Sequence, residues 1–205
     1  MRRKHFIFEP ADASLTGFAS NVTGAAWTLT ATAATDGYAH QVSIRNDSGT
    51  DHSGKTATLS GTDADGKAQT ESVTLPTAGA TVESTKYFKT LTSVTPSATI
   101  NADTMDIGWV DEFVSQTIPL GWRNGGIGLT VIVSGTINYT IENTNSDIQD
   151  STATINWLDH DDSVFVSATA SDNSNYDFPP VGTRVKVNSY SSGATLEYDI
   201  VQSDN

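Results

Sequence analysis

Four histidines, His5, His40, His52 and His160, are the side chains here whose ordinary pKa suits proton transfer near neutrality, and they lie far apart in the sequence. Only His160 has carboxylates close by, in Asn156-Trp157-Leu158-Asp159-His160-Asp161-Asp162. Neighbours within one loop need not converge on a point, and no second histidine shares the spacing of a zinc or non-haem iron site. His5 belongs to the N-terminal segment, and His52 to a Gly/Ser/Asp turn. His40 falls on the inward side of an alternating run, where a hydrogen-bonded core histidine is expected rather than a base. There is no cysteine, which excludes thiolate nucleophiles, Cys-ligated zinc, iron–sulfur clusters and disulfides. Gly-x-Ser-x-Gly elbows, Walker loops and dinucleotide fingerprints are also missing. The expectation is a protein without enzymatic activity and without a cofactor.

Two acidic groups offer hard oxygen ligands at alternate positions, as Ca²⁺ requires: Asp63 with Asp65, and Asp159, Asp161 and Asp162. Neither forms a twelve-residue loop with a bidentate Glu, and Asp65-Gly66 also fits ordinary hairpin chemistry. The N-terminus carries a different chemistry. Arg2, Arg3 and Lys4 precede Phe6 and Phe8, a basic–aromatic set able to dock on a partner, with rings supplying buried area and charges orientation. The same residues also suit a frayed terminus or a first strand of the first domain. If they dock, the near-neutral first part of the chain faces the partner and the acidic second part faces solvent.

The elements that must position these groups are strands. In 205 residues there are 30 Thr and 22 Ser, and with 16 Gly these three types fill a third of the sequence. Threonine is β-branched and fits a pleated surface. Alternation of period two recurs in Trp27/Leu29/Ala31, Tyr38/His40/Val42/Ile44, Ala57/Leu59, Val73/Leu75 and Met105/Ile107/Trp109. It continues in Leu129/Val131/Val133, Ile137/Tyr139/Ile141, Val185/Val187 and Leu196/Tyr198/Ile200. No apolar set keeps a 3.6-residue period. Turn chemistry separates the runs at Asp36-Gly37, Ser48-Gly49, Ser53-Gly54, Asp65-Gly66, Asn124-Gly125-Gly126, Ser134-Gly135 and Ser192-Gly193. The expected fold is all-β, two antiparallel β-sandwich or jelly-roll-like domains with almost no helix.

Charge suggests where to divide it. Residues 1–110 hold 11 acids and 8 bases, and residues 111–205 hold 13 acids and 3 bases. The expected organisation is therefore a basic–aromatic arm over 1–17, a sandwich over 18–110 and an acidic sandwich over 111–205; a single large sandwich also fits the length. With a formal net charge of -13, the chain is a poor partner for nucleic acid, which is held by Lys and Arg. Its strongest apolar stretch, Ile127 to Val133, has the length of a strand, so no membrane association is expected. Phe6-Ile7-Phe8 stops at Glu9-Pro10, too soon for a signal peptide, and the reading is of a soluble chain beginning at Met1.

Several of these runs resemble the β-rich structural proteins of tailed bacteriophages. They are Asp36 to Ile44, Leu59 to Lys67, Val82 to Val94, Val133 to Glu142, Thr154 to Trp157 and Asn188 to Thr195. The likeness spans about residues 36–205 and consists of hairpin and strand patterns. It implies a virion component on the exterior of the particle, made in the host cytoplasm, with no catalytic residues to carry over. A capsid decoration (cement) protein bridging coat subunits is the expected role. A tail, neck or fibre-attachment component touching other tail proteins or the host surface is the alternative. The resemblance further implies a homo-oligomer, a trimer at local threefold positions, with coat or tail proteins as partners.

Overall fold

The computed structural model describes residues 2–121, 126–150 and 152–202. Of the expected turns, Asn124-Gly125 lies outside the described residues. The fold is all-β: strands hold 54 % of the described residues, and the sole helical element among them is a 3-10 turn at Ser163–Phe165. Two compact units form, one of residues 11–113 and one of residues 1–10 with 114–205. The first strand, β1 (Arg2–Phe8), thus belongs with the second half of the chain. This redraws the charge map. Residues 11–113 hold twelve acids and five bases, net -7, and the other unit holds twelve acids and six bases, net -6. The contrast between a near-neutral and an acidic part came from counting Arg2, Arg3 and Lys4 with the wrong unit.

The unit of residues 11–113 contains β2 (Ser14–Val22), β3 (Ala39–Asn46), β4 (Thr56–Thr62), β5 (Ala68–Thr74), β6 (Thr81–Phe88), β7 (Thr90–Pro96) and most of β8 (Met105–Val114). Strands β8, β3 and β6 lie side by side with β2 on β8, and β5-β4-β7 makes a second sheet. Alternation delivers one face of each to a common core: Val42, Ile44, Phe88 and Ile107 from the first set, and Ala57, Leu59, Leu91 and Val94 from the second. Each of the larger of these side chains, Val, Ile, Leu or Phe, contributes about 1.5–3 kcal/mol. β2 approaches β8 so closely that two positions admit only glycine. A Cβ on Gly108 would lie 1.7 Å from the Ser14 carbonyl oxygen, and one on Gly17 would lie 1.9 Å from the Trp109 ring.

One expected strand is absent. Around Trp27, burial alternates as the sequence suggests, with Trp27 buried and Leu29 packed against the core. Yet the segment pairs with no neighbour in a ladder. Thr30 N (2.8 Å) and Ala31 N (3.3 Å) both donate to the Phe18 carbonyl, a geometry that a strand cannot continue.

The second unit contains β1, β9 (Ile118–Pro119), β10 (Ile127–Ser134), β11 (Ile137–Thr144), β12 (Leu158–Asp159), β13 (Asp172–Tyr176), β14 (Gly182–Tyr190) and β15 (Thr195–Gln202). Its sheets run β1-β15-β10-β13 and β12-β11-β14, with β9 on β14. Buried Leu129, Val131, Leu196 and Ile200 come from one, and Ile137, Ile141, Val185 and Val187 from the other. Tyrosines also enter this core, so their hydroxyls need partners. Tyr198 Oη and Tyr176 Oη lie 3.2 and 3.4 Å from Thr183 Oγ1, which donates to the Glu142 carbonyl at 2.9 Å. Tyr139 Oη donates to the Ala170 carbonyl at 2.9 Å. Burial pushes the Tyr139 and Tyr176 phenols up to about 12, so both stay neutral.

β1 is integrated here for the same reason of period. Lys4 and Phe6 are half-buried and Phe8 is buried, while Arg3, His5 and Ile7 face out. The strand pairs with β15 from Arg2↔Gln202 to Phe8↔Leu196. The basic–aromatic segment is therefore a sheet strand rather than a free arm.

Candidate functional site

The histidines are the natural place to look for chemistry, and the fold gives each a fixed local role. His40, on β3, is fully buried. Its Nε2 lies 2.9 Å from Asp36 Oδ2, and its Nδ1 lies 3.1 Å from the Val110 carbonyl oxygen. A carbonyl only accepts, so Nδ1 donates to it. Asp36 accepts in turn from Ala11 N (2.7 Å) and Tyr38 N (2.9 Å). Burial by itself would raise the Asp36 pKa, but the hydrogen bonds from His40, Ala11 and Tyr38 outweigh it and hold the carboxyl below its ordinary range. The couple therefore ties the entry of the unit at Ala11, the turn at Asp36 and the strand β8 at Val110. The reading of His40 as a core histidine agrees with this geometry.

His52 is buried as well. Its Nε2 lies 3.0 Å from Asp103 Oδ2, and Lys55 Nζ donates to its Nδ1 at 3.0 Å. His5 is on the outer face of β1, with Nδ1 2.8 Å from Asp199 Oδ1. Arg3 grips the same carboxylate through Nε (3.0 Å) and Nη2 (2.8 Å), and these bonds hold Asp199 below the usual carboxylate range. Three of the four histidines thus fasten segments 4, 51 and 194 residues apart. The His52 and His5 partners leave no local mark in the sequence.

His160 is the exception. It is buried against Phe165 and Tyr176, with ring centroids 5.2 and 4.5 Å away. Asp162 N donates to its Nδ1 at 3.0 Å, and its buried Nε2 has no protein partner among the described residues. Burial pushes the imidazole down, against the pull of Asp162 and Asp161, so it is held below its ordinary 6.5. The unfolded chain therefore takes up the proton first. His160 contributes stability that is complete above about pH 6.5 and is lost as pH falls through the folded pKa. In His160→Asn, whose Oδ1 can replace Nδ1 as the acceptor, this loss on lowering the pH from about 7 to 5 should disappear. Urea unfolding across that range, followed by circular dichroism, checks it; an unchanged slope refutes it.

The acidic groups proposed for calcium are placed as follows. Asp63 Oδ1 accepts from Asp65 N (3.0 Å) and Lys67 N (2.8 Å), closing the β4–β5 hairpin in which Gly66 has φ +84°. Asp162 caps the 3-10 turn by accepting from Val164 N, and its Oδ2 accepts from Ser174 Oγ at 2.7 Å. Asp159, on β12 opposite Glu142, is exposed, as is Asp161. Among the described residues, no three His, Asp or Glu side chains converge to hold a cation.

The docking set is divided by the pleat. Arg3 is paired with Asp199, Lys4 Nζ donates to the Pro119 carbonyl, Phe6 and Phe8 turn inward, and Arg2 stands opposite Gln202. The outward apolar residue is Ile7, 51 % exposed, which sequence reasoning passed over. It also passed over Arg184, whose Nε donates to Glu142 Oε2 at 2.5 Å while its guanidinium lies 4.1 Å from the Trp157 ring centroid. Among the described residues, no helix is long and apolar enough to cross a membrane. Compared with protein-family models and with curated proteins, the chain matches none.

Proposed function

We propose that this protein is a non-enzymatic structural component of a tailed-bacteriophage particle, a decoration (cement) protein that bridges coat subunits on the exterior. The observation that carries this reading is the way its titratable side chains are used. His5, His40 and His52 each hold a carboxylate, and Asp36, Asp63 and Asp162 each hold backbone N–H groups, so these groups serve to fasten loops and strands. Such ties suit a protein that bears load through its surface. The resemblance of its strand and turn runs to phage structural proteins supports the particle role, and its net charge of -13 would keep free subunits away from packaged nucleic acid.

The experiment is to count copies per purified particle by quantitative mass spectrometry. Hundreds of copies are expected. A few copies to a few dozen would favour the tail, neck or fibre-attachment role, and absence from particles would overturn the reading.

A further inference from the structure

Residues 152–171 connect β11 to β13 and lie along the outer edge of β11. At β12, Asp159 stands opposite Glu142 and Leu158 opposite Asn143, and His160 N donates to the Ile141 carbonyl at 2.9 Å. Further on, Tyr139 N and Ala168 N each donate to the other residue's carbonyl, at 2.9 and 2.8 Å. Among the described residues, this is the backbone pairing that edge has. Of residues 152–171, only His160 and Phe165 are buried, and their rings meet edge to face at 5.2 Å. The rest of the core, from Leu129 and Val131 to Val185, Val187, Leu196 and Ile200, belongs to the sheets. Ser167 adds strain, a non-glycine residue at a φ of 50° held by Thr140 Oγ1 and by Asn138 Nδ2, each at 3.0 Å. The segment is thus a strap with one buried fastening.

We propose that residues 152–171 form an acid-released strap: a proton added to His160 turns the ring nitrogen that accepts the Asp162 N–H into a donor, and the strap leaves the edge of β11 while the sheets stay folded.

The geometry leaves the imidazolium no good position. Asp162 N donates to Nδ1, so the neutral ring carries its proton on Nε2 and a second proton must go to Nδ1. There it points at the Asp162 N–H, 3.0 Å away, and sets donor against donor. Nε2, buried and without a protein partner among the described residues, offers the cation no hydrogen bond in exchange.

The surrounding charges do not rescue it. Within the strap, Asp162 is engaged by Val164 N and Ser174 Oγ, and Asp161 and Asp159 are exposed. β13 contributes Tyr176, whose ring centroid lies 4.5 Å away and whose phenol stays neutral, and Asp172, which acts on Tyr139. β11 contributes neutral Tyr139, across Phe165, and Glu142, which is paired with Arg184 of β14. Asp161 and Asp162 pull the imidazole pKa up, but burial pushes it down further. Once the ring leaves, Phe165 loses the face it packs on. The strap reading stands whether or not the particle role does.

The open strap takes up its proton near 6.5, the closed strap only below that value. The opening constant should therefore rise up to tenfold for each pH unit below about 6.5, until the closed ring itself titrates. Protection factors of single amides, read by NMR hydrogen exchange on the full chain, measure it. Those of His160 and Ala168 should fall about tenfold between pH 7 and pH 5. Complete unfolding of the unit shares this linkage, so the gap between amides separates local release from unfolding. At pH 5 the strap amides should be about a hundredfold less protected than those that join β10 to β15. His160→Asn, which keeps an acceptor but cannot titrate, should abolish the fall. Phe165→Leu should lower strap protection at both pH values and keep the fall. Strap protection that does not change between pH 7 and pH 5, or that equals protection in β10 and β15, would overturn the proposal. So would an undiminished fall in His160→Asn or its loss in Phe165→Leu; the pH series on the unmodified protein decides even where a variant does not fold.

Discussion

Replacing Asp36 by Asn is expected to destabilise the unit of residues 11–113 by about 3–5 kcal/mol, the cost of breaking a buried pair and leaving one member behind. The pair is deeply placed: the side chains of His40 and Asp36 are 0 % and 3 % exposed, and Asp36 also holds Ala11 N and Tyr38 N. The pH dependence follows from the direction of the Asp36 shift. Its pKa is lowered on folding, so its stabilisation is fully present above about 3.9, the unfolded value, and is lost as pH falls through the lower folded value. Asp36→Asn should flatten the acid limb of the stability curve as well as lower its plateau. Trp109 lies 6.3 Å from the His40 ring and gives a local fluorescence signal for urea unfolding. A loss below about 1 kcal/mol would mean that the couple contributes no more than an ordinary hydrogen bond.

Removing residues 2–8 should have a still larger effect, and on the other unit. Were these residues the free docking arm that their basic–aromatic composition suggests, such a truncation would leave both domains folded and weaken docking alone. In the structure it strips a seven-residue strand from β15, removes the buried Phe8 ring, and leaves Asp199 without Arg3 and His5. Losing a buried Phe costs about 3–5 kcal/mol by itself, and domains of this size have only about 5–15 kcal/mol in all. The unit of residues 1–10 with 114–205 is therefore expected to be largely unfolded in the truncated protein. Hydrogen exchange resolved to peptides checks this. Amides of β10 and β15 should lose their protection, while those of β3 and β4 in residues 11–113 should keep theirs. Protection of β15 equal to that in the full chain would return β1 to the status of an accessory arm.

The local pattern was legible, and its reach has a physical limit. Alternation of Leu129/Val131, Ile137/Tyr139/Ile141 and Leu196/Tyr198/Ile200 reports burial of one strand face, and those residues are buried. The same alternation at Trp27/Leu29/Ala31 reports burial correctly but not a strand, because a ladder needs a neighbour and Thr30 and Ala31 instead share one carbonyl. Alternation in Lys4/Phe6/Phe8 was equally visible; its basic character suggested an arm because a strand with lysine on the inward side breaks the simple polar–apolar code. The structure resolves this by leading Lys4 Nζ out to the Pro119 carbonyl.

What the sequence by itself determined is the class of structure and the turn chemistry. Thr-rich strands of period two make an all-β protein, and Asp65-Gly66, Ser134-Gly135 and Ser192-Gly193 supply the positive φ at Gly66, Gly135 and Gly193. Only the tertiary structure decided which strands are neighbours, and with that the charge of each unit and the use of each histidine. The reason is range. Side-chain period and turn preference act over a few residues, whereas β1 finds β15 across 194 residues, at His5 and Asp199, through backbone hydrogen bonds that are the same for every sequence. Selection among strands of similar pattern falls to the packing of Phe8 and its neighbours in a core that exists only once the fold has closed.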